Sequence, residues 1–144
     1  MKPAKTSKII FWTTTILIFL MEGVIPALTS QTELAKEGIR HLGYPEYFGN
    51  ALVVFKISGA IALIIPNIPS RVKEWAYAGF AFNFTFACIS HWAVDGLVGQ
   101  TIFPLFFLAV LITSYVFYHR LRNFQTNSNS TVNTKEYVVS SIPQ

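Results

Sequence analysis

Four strongly polar side chains stand inside or at the edge of long apolar runs: Glu22, Lys56, Asn83 and His91. A carboxylate, an ammonium, an amide and an imidazole can together hold a proton, pass it on, or fix the polar head of a ligand. In hydrocarbon an unpaired charge costs roughly 2.5–3.5 kcal/mol even on the lenient insertion scale, so such groups face one another or a cavity. The runs that must position them cover 9–28, 47–65, 75–94 and 101–119. A helix of about 20 residues at ~1.5 Å per residue matches the ~30 Å hydrocarbon core of a bilayer.

The composition agrees with such an environment. Charged residues make up 12% of the 144-residue chain, about half the ~25% of soluble domains. Hydrophobic residues reach 52% and mean hydropathy is +0.45. The net charge of +4 is not gathered in one patch, which argues against a nucleic-acid partner. A single cysteine, Cys88, excludes an internal disulfide and a CxxC redox pair. No Gly-rich phosphate loop, nucleophile elbow, HExxH or EF-hand is present, so the reading leans away from an enzyme. His41, His91 and His119 are too scattered along the chain to make a metal site.

Basic residues sort by loop. Lys2, Lys5, Lys8, Arg71, Lys73, Arg120, Arg122 and Lys135 fall on one side of the four runs, and Lys36 and Arg40 on the other. The positive-inside rule places both termini and the 66–74 loop in the cytoplasm of a multi-pass plasma-membrane protein. A cleaved signal peptide competes for the first run, but signal cores are usually 7–15 residues and Glu22 would sit between core and cut; the run is read as retained.

Along the first helix Trp12, Thr15, Phe19, Glu22 and Pro26 share a face. The 29–46 connection holds a short amphipathic segment after Thr32, read as an interfacial helix with Thr32 as its cap. Ala51, Ser58, Gly59, Ala60 and Ala62 allow close approach to the second helix. The fourth helix is apolar all round, with Thr113, Ser114 and Tyr115 as its polar exceptions. From Gln125 the chain turns to Thr, Asn and Ser, and a disordered polar tail is predicted over 123–144.

Depth follows from the helical rise. Glu22 falls ~20 Å from the inner boundary, Lys56 ~16 Å, His91 ~24 Å and Asn83 ~12 Å. Glu22, Lys56 and His91 therefore lie within ~8 Å in depth. We expect a Glu22–Lys56 ion pair in the bundle interior with His91 hydrogen-bonded beside it, and Asn83 as an interhelical hydrogen-bonding group. His41, Tyr44 and Asp95 are outer-mouth candidates.

Several segments resemble the DoxX-like family of small four-helix membrane proteins: His41-Leu42-Gly43-Tyr44-Pro45, Lys56-Ile57-Ser58-Gly59-Ala60, Glu74-Trp75-Ala76-Tyr77-Ala78-Gly79-Phe80, and Ser90-His91. Asn83 departs from the aspartate that similar proteins often carry, and an asparagine does not ionise. The resemblance implies architecture first. It also implies a link to quinone-dependent membrane oxidoreduction, with the redox centre on a partner subunit because no residue here could hold one.

The sequence thus predicts an all-α, up-down-up-down transmembrane four-helix bundle over 1–122 with a short interfacial helix in the first outer loop. Its lipid bilayer is the one assured partner. The leading functional reading is an accessory or small-ligand-binding bundle with no resident cofactor. The alternatives are a subunit of a quinone-linked membrane oxidoreductase and a small carrier working as a homo-oligomer.

Overall fold

The computed structural model describes residues 3–140. All regular structure in it is helical. The first rod is built of α1 (Pro3–Ile18), a π-helical segment (Phe19–Val24) and α2 (Ile25–Thr29). Pro26 explains the change of winding. A proline has no N–H to return to the carbonyl four residues back and its ring crowds that carbonyl. The ladder relaxes to a five-residue spacing just before it, with the Ile25 N–H bonded to the Leu20 carbonyl. Ser7, Phe11, Thr15, Ile18, Glu22 and Gly23 form the buried side of this rod. Of the face expected from sequence, Thr15 and Glu22 are buried, and Trp12, Phe19 and Pro26 are half-buried.

A turn leads into α3 (Glu33–His41). The Thr32 hydroxyl caps it by accepting from the Ala35 N–H at 3.3 Å. Gly43 takes a φ of 81° in the tight turn that follows, a conformation open to glycine at no steric cost. Pro45 then precedes α4 (Glu46–Ile64).

The connection after α4 is shorter than expected. α5 (Ser70–Asp95) starts directly after Pro69, so Arg71, Lys73 and Glu74 are helical where a 66–74 loop was expected. No glycine or proline follows Pro69 to delay the helix, and Pro69 itself stays extended. Gly96, with a φ of 76°, ends α5.

The last helix, α6 (Gly99–Ser140), runs well past the expected end at 119. The stretch from 123 was expected to be a disordered tail; over the described residues it continues as helix, and 141–144 lie outside them. No proline or glycine lies between Pro104 and Ser140, and Thr126 bonds back to the Arg122 carbonyl in helical register.

α6 packs against α1 and α5, while α4 packs against α5 and the π-helical segment. Ile18, Ala60, Leu63, Tyr77, Phe80, Phe84, Phe107 and Leu111 make the core between them. A hydroxyl chain is buried beside that core: Ser114 Oγ lies 2.8 Å from Thr15 Oγ1 and 2.9 Å from the Tyr77 hydroxyl. Each hydroxyl thereby satisfies another inside an apolar interior, where an unpartnered one costs about 1–3 kcal/mol. Ser114 is thus a core residue of α6.

Among the described residues three stretches are long and apolar enough to cross a membrane: Lys5–Thr29, Glu46–Ile64 and Gly99–Ser128. α5 has the length, 26 residues, but Asn83, Thr85, Ser90 and His91 dilute its apolar character. Trp75, Phe82, Phe86, Ile89 and Trp92 nevertheless stand exposed along it.

Candidate functional site

Lys56 on α4 meets Glu22 of the π-helical segment. Nζ lies 2.9 Å from Oε2, with the two side chains 22% and 12% exposed respectively. A glycine makes the approach feasible. A Cβ built on Gly23 would stand 2.8 Å from the Ala60 Cβ, nearer than real atoms come. Ala60 lies one turn past Lys56 on the same face of α4, so the contact that brings in Ala60 also brings in Lys56. From α5 the Asn83 amide donates a long hydrogen bond of 3.5 Å to the same Oε2. Three rods thereby converge on one carboxylate.

His91 does not join them. It lies eight residues past Asn83 on α5, ~12 Å along the axis, which puts it out of reach of Glu22. Its Nδ1 instead lies 2.9 Å from Oδ2 of Asp95, four residues on along the same helix. His41, the last residue of α3, brings Nε2 to 2.5 Å from the other oxygen of Asp95. Nearby, the Tyr44 hydroxyl lies 2.7 Å from Ser90 Oγ. His41, Tyr44, His91 and Asp95 therefore form a second polar group that fastens α3 and its following turn to α5. His119 sits apart, with Nε2 2.8 Å from Glu74 Oε1 but not aligned as a hydrogen bond. Among the described residues no group of three or more His, Cys, Asp or Glu side chains is arranged to hold a metal ion.

A cleft of about 210 Å³ opens between α2, α3 and α4. Pro26, Ala35, Ile39, Leu52 and Val53 give it apolar walls, and Lys56 is the lining residue farthest along α4 from Glu46. One ammonium thus both pairs with Glu22 and lines the cleft.

Residues 10–114 match the DoxX-like family. The chain belongs to the DoxX-like family. No curated protein and no solved structure matches it. The matched span takes in both polar groups and ends at Ser114, so the long continuation of α6 lies beyond the DoxX-like region.

Within this DoxX-like protein the second polar group gives a pH prediction. Hydrogen bonding to His91 first, and to His41 second, holds the Asp95 carboxyl below its ordinary range. A depressed carboxylate contributes stability above its unfolded value, ~3.9, and loses it as pH falls through the lower folded value. The difference in Tm between wild type and Asp95→Asn is expected to shrink as pH falls through that range. A difference that stays constant throughout would count against the Asp95 contacts.

Sequence reasoning missed Lys73, which was assigned to a cytoplasmic loop. It is 3% exposed, donates to the Leu63 carbonyl at 3.1 Å and lies 5.6 Å from the Tyr118 ring centre. It thereby satisfies a carbonyl in the last turn of α4 that no helical N–H reaches. The signal was present: Lys73, Tyr77, Phe80 and Phe84 follow steps of four, three and four, one buried stripe on α5.

Proposed function

We propose that this DoxX-like protein is a four-crossing bundle of the plasma membrane, up-down-up-down with both termini cytoplasmic, that binds a small lipophilic ligand beside the Glu22–Lys56 pair. α5 is the fourth crossing in this reading. Its 26 residues span ~39 Å, it packs against two candidate spans, and its exposed aromatic residues suit a lipid-facing side. Helix α3, carrying Lys36 and Arg40 on its polar side, then lies at the outer interface.

The observation that carries the ligand reading is the double placement of Lys56, against Glu22 and in the wall of an apolar cleft. Small-ligand sites pair apolar walls with a few fixed polar groups. Such a bundle acts as an accessory or carrier protein and needs no redox centre of its own. Lys56 also favours a second reading, a subunit of a quinone-linked oxidoreductase, because an ammonium can donate to a ring carbonyl.

Mass spectrometry of lipophilic molecules retained after gentle detergent extraction tests both. A stoichiometric small molecule, absent from a folded Val53→Trp variant that fills the cleft, is expected. If that molecule is a quinone, the second reading takes precedence. Equal retention by wild type and variant would overturn the site.

A further inference from the structure

The cleft's charges are all spoken for. Of its lining residues, Lys36, Glu46 and Lys56 are ionisable, and each has an opposite partner: Lys36 with Glu33 at 3.5 Å, Glu46 with Arg40, and Lys56 with Glu22 at 2.9 Å. An anionic ligand would have to draw Lys56 away from Glu22 and leave that carboxylate buried without its counter-charge, a strongly unfavourable exchange. A cation would meet no free carboxylate. An ammonium carries three N–H donors, however, and Glu22 is the one ion-pair partner of Lys56 among the described residues. Thr29, Ser30 and Asn50 add neutral polar groups to the lining, and at the end farthest along α4 from Glu46 Lys56 adds a charged hydrogen-bond donor to the cleft. Its size narrows the guest further. A dry apolar cavity of about 150 Å³ admits benzene, so 210 Å³ admits one ring with a short substituent.

We infer that the cleft between α2, α3 and α4 takes an uncharged, single-ring compound bearing a hydrogen-bond-accepting carbonyl, which receives an N–H from Lys56 while the Glu22 pair stays intact. The inference rests on the ligand-binding reading above and specifies its chemical class.

Three probes of like size separate the chemistry: 4-fluoroacetophenone, 4-fluoroethylbenzene and 4-fluorobenzoate. Their binding to the full chain in lipid nanodiscs is read by fluorine NMR against empty nanodiscs, which removes simple partitioning. The ketone is expected to bind about tenfold more tightly than the hydrocarbon, the worth of one hydrogen bond from a charged donor. Benzoate is expected to show no excess over empty discs. In the charge-free double variant Glu22→Gln/Lys56→Met the preference for the ketone over the hydrocarbon should vanish. Equal binding of ketone and hydrocarbon, or a preference for benzoate, overturns the inferred class while leaving a small-ligand cleft in place. Binding of none of the three overturns the inference; the cleft itself falls only if wild type and Val53→Trp also retain lipophilic molecules equally.

Discussion

Glu22→Ala is expected to destabilise the protein by about 3 kcal/mol, and Lys56→Ala by a similar amount, when unfolding is followed reversibly in mixed lipid–detergent micelles. Each substitution leaves its partner as a mostly buried charge without the group 2.9 Å away that offsets it. The double variant Glu22→Ala/Lys56→Ala leaves no such orphan. Its loss should be close to that of either single change and well short of their sum, a coupling of about 2–3 kcal/mol. Asn83 adds a check. Its hydrogen bond to Glu22 Oε2 is long, so Asn83→Ala should cost much less, about 0.5–1 kcal/mol. Losses of Glu22→Ala and Lys56→Ala that simply add would mean that the two charges do not stabilise one another.

Gly23→Ala should also lower stability, although alanine is the better helix former by ~1 kcal/mol. The new methyl would stand 2.8 Å from the Ala60 Cβ, and neither atom belongs to a flexible side chain that could turn aside. Relief requires α4 to move off the π-helical segment. Overpacking of this kind costs about 1–3 kcal/mol. The shift also separates Lys56 from Glu22, because Ala60 and Lys56 lie on one face of α4, so part of the pair's contribution goes with it. The clash and the loosened pair together exceed the gain in propensity, for a net loss of about 2 kcal/mol. Ala60→Gly made in the same chain removes the obstructing atom and should return most of that loss. Gly23→Ala as stable as wild type in the same unfolding assay would show that the two helices are not held at this spacing.

The Glu22–Lys56 contact was legible because helical rise converts sequence position into depth and opposite charges at one depth seek each other. That reasoning failed for His91. A depth window of ~8 Å is wide enough to admit a residue eight positions beyond Asn83, while the stronger local signal, Asp95 four residues on from His91, lies just past the expected end of the run at 94. The four long rods were visible as apolar runs, and the start of α5 and the end of α6 were not. Lys73 lies in the first turn of α5 although its charge suggested solvent. The π-helical winding was hidden for a different reason. Pro26 announces that a hydrogen bond is missing, but the same segment also brings Gly23 against Ala60, a tertiary contact that one chain's periodicity does not carry. Polarity likewise misled over the continuation of α6, since low apolar content argues against burial and says less about whether an exposed helix simply propagates.

Solid-state NMR on the full chain in lipid bilayers reaches the central claim most directly, by dipolar recoupling between the Glu side-chain carboxyl carbon and the Lys Nζ. Strong dephasing is the predicted result, with the Glu22–Lys56 part of it lost in Lys56→Gln, where the Lys36–Glu33 pair still contributes, and retained in Asn83→Ala. A dephasing curve unchanged by Lys56→Gln would place the two charges apart in the membrane and contradict both the pair and the site built on it.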